Sequence, residues 1–215
     1  MRYIPFSRDV FLSLLEIYNA AIWPAQIAAY ALGLLAVLLA LKPYRGSGRV
    51  VALLLAAAWL WNGVAYHMLH FATINWAAWI FGFFFVAQGL LLLVTGLLRG
   101  RLAFRFAGDA AGWVGLAIIA FAMAAYPLIG VLDGQAWPRL APFGVAPCPT
   151  TIFTFGMLLL AEPKVPMHLL ALPALWSLIG GAAAWLIHIP QDLALPAAAL
   201  LTVALTLRKN RLDRA

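Results

Sequence analysis

His67 and His70 stand three residues apart, so a helix through "YHMLH" would present both imidazoles on one face. His188 and Asp192 stand four apart and would share a face if "HIPQD" is helical, which Pro190 opposes. Two histidines with a further His or Asp suit zinc, and water in an open coordination position could be activated for hydrolysis. Cys148, the only cysteine, would add a soft ligand. Haem iron would instead need His67 or His70 to face His188 or His168. No HExxH or CxxC spacing fixes a metal geometry.

The same region also suits a path for a small solute or ion. His67 and Asp192 would carry protons, with Asn75, Gln88, Thr150 and Thr151 as hydrogen-bonding partners. A third use is structural, the polar groups knitting helix ends together in an accessory or assembly subunit of a membrane complex. The expected pocket comprises His67, His70, Asn75, Gln88, Asp133 and Cys148, together with Thr150, Thr151, His188, Gln191 and Asp192. His67, His70, His188 and Asp192 form the metal set, and no catalytic residue is assigned. No cofactor is expected other than zinc or another divalent cation. Solute or ion handling is favoured over a metal-dependent intramembrane hydrolase.

The elements that must position these residues are set by hydropathy. The 215-residue chain is 66% hydrophobic and 10% charged, with mean hydropathy +0.97. Soluble domains carry about 25% charged residues. Charge-free runs cover 17–41, 50–98, 110–132, 140–161, 165–191 and 193–207, and a membrane-spanning helix needs roughly 20 apolar residues. The chain therefore reads as one all-α, polytopic transmembrane bundle in a single domain. About seven spans are expected, near 20–41, 50–71, 77–98, 110–132, 149–161, 165–187 and 193–208. The fifth and seventh are short. Ahead of them, Phe11, Leu14, Leu15 and Tyr18 form an apolar stripe over 7–18, with Ser7 as N-cap, as in a helix lying in the membrane interface. No cleavable signal is expected, because the first long apolar block begins only near residue 20.

The net charge of +7 is explained by topology better than by nucleic acid, and none is expected as a partner. Lys42, Arg45, Arg49, Arg99, Arg101, Arg105, Lys164 and the tail bases Arg208, Lys209, Arg211 and Arg214 fall on one side of a seven-span chain. Only Arg2, Arg8 and Arg139 fall on the other. The positive-inside rule then puts the N-terminus outside and the C-terminus in the cytoplasm of an inner membrane. The expected partners are the lipid bilayer, a small solute or ion, and further copies or other membrane subunits. On this topology most of the polar groups, including Asn62, Tyr66, Tyr126 and Gln135, gather at the outer end. Trp23, Trp76, Trp79 and Trp137 mark the outer interface, and Tyr44 the inner one.

Pro24–Ala36 aligns with Pro149–Ala161, and Val50–Trp61 with Val165–Trp176. These matches suggest two parallel three-helix repeats joined by a linker helix, an architecture shared with 3+1+3 transporters. The paired Pro-Gln motif of such proteins is absent from the aligned positions. In "PCPTTIFTFG" Pro149 fits the first position of a helix, with Thr150 and Thr151 in its first turn and Cys148 in a proline-framed turn before it. Together with "YNAAIWPAQ", "WLWNGVAYH", "GWVG", "AYPLIG" and "IGGAAAWL", this segment resembles a bacterial family of polytopic membrane proteins catalogued as a domain of unknown function. The resemblance implies an integral membrane protein and assigns no activity to any residue.

Overall fold

Thirteen residues, Pro147–Leu159, make a helix at the centre of the molecule that is too short to cross a bilayer. At 1.5 Å per residue it rises about 20 Å, against a hydrocarbon core of roughly 30 Å. Twelve of the thirteen are buried, and the exception is Cys148. The computed structural model, which describes residues 5–212, builds the rest of the bundle around this helix.

In chain order the helices are α1 (Arg8–Ala21), α2 (Ala25–Leu41), α3 (Ser47–Trp61), α4 (Ala78–Leu92), α5 (Ala110–Ala120), α6 (Tyr126–Leu132), α7 (Pro147–Leu159), α8 (His168–Ile187) and α9 (Ala194–Leu212). Five continuous helical stretches are long and apolar enough to span a membrane: Ser47–Thr73, Ala78–Leu98, Ala110–Leu132, His168–Ile187 and Pro190–Arg211. A sixth is obtained only if α1 and α2, bent by 86° at the Ile22–Pro24 turn, are taken as one. The expectation of about seven spans thus becomes five or six plus the short buried α7. The hydrophobic run is the same, but α7 faces protein on all sides instead of lipid.

Three stretches widen into π-turns: Asn62–Met68 after α3, Leu93–Leu98 after α4, and Phe121–Ala125 between α5 and α6. The last has a clear local cause. Pro127 has no N–H to donate and its ring would clash with the carbonyl four residues back, so the turn before it opens. Tyr66 lies within the first of these stretches, and Tyr126 directly follows the third.

The helices of α7's surroundings approach through small residues. α5 and α7 cross where Gly115 meets Gly156, and a Cβ on Gly156 would lie 2.6 Å from the Gly115 carbonyl oxygen. At one end of the bundle, β1 (Ala103–Phe104) pairs antiparallel with β2 (Ala161–Glu162). There Lys209 Nζ donates to the Ala161 carbonyl at 2.9 Å, and the Asn210 side chain bonds both the N–H and the carbonyl of Val165. This end carries the basic loops. Arg2 and Arg214 lie outside the described residues.

At the opposite end α1 is fastened to segment 133–146. Arg8 pairs with Asp133 at 2.5 Å and Arg139 with Glu16 at 2.7 Å. Asn19 Nδ2 donates to the carbonyls of Pro138 and Leu140 at 2.6 and 2.7 Å. The Tyr18 hydroxyl donates to Val145 and accepts from the Trp61 indole. Ser7 caps α1, accepting from the Val10 N–H. Trp23, Trp76, Trp79 and Trp137 are all exposed.

The aligned segments Pro24–Ala36 and Pro149–Ala161 occupy unlike places. Ile27, Leu34 and Leu35 of α2 are exposed, whereas their counterparts Ile152, Leu159 and Leu160 are fully buried. Alanine- and leucine-rich helices match in sequence whether they face lipid or protein.

Candidate functional site: a cavity at the end opposite the basic loops

A cavity of about 530 Å³ opens beside the first turn of α7. That volume lies in the range of small-molecule sites, roughly 300–1,000 Å³. Its polar wall is drawn from separate elements: Tyr66 from the first π-turn, Tyr126 from the start of α6, Cys148 from α7, Trp176 from α8 and Asp192 from the 3₁₀ turn Pro190–Leu193. Asn75 and Trp76 stand in the turn before α4. Beyond Trp176 the α8 lining includes small residues, Gly180 and Ala182–Ala184, which leave the space open. The adjoining Gly181 packs instead on Pro196 of α9.

Asp192 is only 6% exposed. The Tyr126 hydroxyl donates to its Oδ1. The turn that holds it is pinned by Gln191, whose Nε2 donates to Gln135 Oε1 at 3.1 Å. Gly130 passes close to this amide pair, and a Cβ there would stand 3.1 Å from Gln135 Oε1. The Cys148 thiol lies beside the Asp192 carboxyl and the Trp176 indole, but that indole N–H has no formed hydrogen bond among the described residues. α7 begins two residues earlier than expected, with Pro147 and not Pro149 at its first position. Cys148 is therefore inside the first helical turn, not in an extended turn ahead of it. Thr150 and Thr151 turn inward and donate to the Ala146 and Pro147 carbonyls, four residues back. Thr150 Oγ1 also accepts from the Gly144 N–H.

Of the eleven candidate residues, Asn75, Cys148 and Asp192 line the cavity. Asp133 is engaged by Arg8 and Gln135, and Gln191 by Gln135. His70 bonds the Ala65 carbonyl through Nδ1 at 2.6 Å. Gln88 Nε2 donates to the Leu169 carbonyl at 2.9 Å, tying α4 to α8 and leaving Oε1 without a partner among the described residues. His188 ends α8 in the left-handed conformation, φ 55°, and is exposed. That reversal separates it from buried Asp192, so their four-residue spacing does not give a shared face. Among the described residues no three His, Cys, Asp or Glu side chains gather as a metal site. The set His67, His70, His188 and Asp192 is thus dispersed, two of its members being held or turned away by local geometry. His168 bonds Thr95 at 3.1 Å, far along α8 from this cavity.

His67 sits behind the cavity wall, fully buried in a box of rings: Phe85 at 4.7 Å, Trp176 at 5.0 Å and Tyr66 at 5.2 Å. Neither ring nitrogen has a hydrogen-bond partner among the described residues. A buried polar group without a partner costs about 1–3 kcal/mol. His67→Leu is therefore expected to raise the thermal unfolding midpoint of detergent-solubilised protein. A lowered midpoint would mean that the imidazole is satisfied in the folded protein.

Sequence reasoning missed the aromatic wall. Phe6, Phe11, Phe71, Phe81 and Trp176 all line the cavity, yet an aromatic residue in an apolar helix carries no mark of whether it faces lipid or an interior space. Tyr66 and Tyr126, whose hydroxyls mark them as polar, were the rings of the wall that the sequence places with the polar groups at this end.

No curated protein and no solved structure matches the chain. The model of a family of unknown function, DUF6064, matches residues 8–215. With its apolar helices packed around a short buried one, this chain belongs to the DUF6064 family of unknown function.

Proposed function

We propose that the protein binds a small solute in the cavity beside α7, as the first step in moving that solute or an accompanying ion across the cell membrane. The observation that carries this is the nearly buried carboxyl of Asp192 at the wall of a ligand-sized, aromatic-lined space. Five polar side chains from five separate elements converge there. Convergent polar groups in an otherwise apolar cavity are the usual mark of a binding site, and an ionisable side chain within a membrane protein is a functional suspect by default.

The orientation follows from charge. The basic loops and C-terminal helix would face the cytoplasm and the cavity would face outward. Inward of the cavity lie two side chains with unused hydrogen-bonding atoms, His67 and Gln88. Between them stands Phe85, whose ring centre lies 4.7 Å from that of His67 and which precedes Gln88 by one turn of α4. This row of side chains supports a path leading inward.

The test is a thermal-unfolding screen against small amines, alcohols and carboxylic acids. At least one class is expected to raise the midpoint of the wild-type protein. Ala183→Trp, which fills the cavity from α8, should abolish that shift. If no class shifts the midpoint, or if the shift survives Ala183→Trp, the cavity is not the binding site.

A further inference from the structure

We propose that the cavity selects an organic cation, a protonated amine or quaternary ammonium group carried on a compact apolar body. This rests on the binding-site reading above and names its ligand class. Eight of the lining side chains are aromatic. Among the described residues the lining includes one acid, Asp192, and no Lys, Arg or His. The nearby base Arg8 is already committed to Asp133. An anion would thus meet a carboxyl and the negative faces of aromatic rings, with no basic side chain of the described lining to balance its charge. A neutral ligand could fill the space but would leave the carboxyl unused.

A cation is attracted by both features. Aromatic faces draw ammonium groups through their quadrupoles, most strongly where water is excluded. A carboxylate adds a charge-assisted contact of roughly twice the strength of a neutral hydrogen bond. Tyr126 donates to Asp192 Oδ1, and the Cys148 thiol also lies against the carboxyl. The carboxyl lines the cavity, where a ligand's ammonium group would meet it. Tyr126 and Tyr66 flank the carboxyl on the cavity wall, and Trp176 stands beside the Cys148 thiol. The apolar body of the ligand would lie along Ala182–Ala184 and Phe81. Selectivity for shape would come from the ring positions and selectivity for charge from Asp192.

The experiment is a matched series on solubilised full-length protein: phenethylamine, phenethyl alcohol and phenylacetate, titrated by calorimetry. The amine is expected to bind at least tenfold more tightly than the alcohol, and the carboxylate not measurably. Asp192→Asn should reduce the amine's advantage to less than about threefold while leaving the alcohol's affinity unchanged, since a charge-assisted contact is worth roughly ten- to a hundredfold. The unchanged affinity for the alcohol is the control for general damage to the site. If the alcohol or carboxylate binds as well as the amine, the site stands and the cation assignment is overturned. If none of the three binds and no other solute shifts stability, the binding-site reading itself falls.

Discussion

Replacing Gly156 by valine is expected to abolish the folded protein. α5 and α7 touch backbone to backbone at this point. A Cβ on Gly156 would stand 2.6 Å from the Gly115 carbonyl oxygen, 2.7 Å from Ile119 Cγ1 and 3.0 Å from the Ile119 nitrogen. Two of those three atoms are backbone and cannot rotate away. Relief requires the helices to separate, and α7 is held on its other sides by α3, α8 and α9. Overpacking a dense interior usually costs about 1–3 kcal/mol and occasionally more. Gly156→Ala should lie near or above the top of that range, and the β-branched valine beyond what the fold tolerates. Membrane helices that approach this closely depend on small residues at the crossing. Size-exclusion profiles and thermal unfolding of the two variants measure the effect. A monodisperse Gly156→Val protein with an unchanged midpoint would mean that α5 and α7 do not cross here.

The second large effect is expected at Trp59. This side chain is fully buried, its ring lies 4.4 Å from that of Phe85, and its indole N–H donates to Thr154 Oγ1 at 2.9 Å. Trp59→Ala leaves a cavity between α3, α4 and α7, with an expected loss of about 3–5 kcal/mol. Thr154 is satisfied twice over, because its hydroxyl also donates to the Thr150 carbonyl. Thr154→Val should therefore cost less, about 1 kcal/mol for each bond lost. A double-mutant cycle between the two positions should show coupling, since they share one hydrogen bond. Trp59→Ala with wild-type stability would place the indole outside the core.

The long spans were legible because bilayer thickness imposes a length on any apolar helix that crosses it. Ser47–Thr73, Ala78–Leu98 and Ala110–Leu132 follow almost directly from the runs free of charge. What hydropathy cannot distinguish is a lipid-facing surface from a protein-facing one. That is why "PCPTTIFTFG" read as a marginal span while its helix is the buried core, and why Pro24–Ala36 and Pro149–Ala161 looked alike. The gathering of polar residues at one end was visible in the sequence, but their individual partners were not. His70, Thr150 and Thr151 are taken up by local hydrogen bonds, and Asp133 by Arg8 of α1. Asp192 and Cys148 are left facing the cavity. His188 defeated the spacing argument through one left-handed backbone angle, a feature the sequence marks only weakly in a residue other than glycine.

Cys148 is the only cysteine in the chain and the only residue of α7 that is not buried. It therefore reports on the cavity directly. The most direct measurement adds two membrane-impermeant methanethiosulfonate reagents, one bearing trimethylammonium and one sulfonate, to the outside of intact cells, and reads the labelling of Cys148. The expected result is labelling from outside, faster with the cationic reagent and slowed by Ala183→Trp. Labelling seen only when reagent reaches the cytoplasmic face, or an equal rate in the filled variant, would contradict an outward-facing cavity as the site.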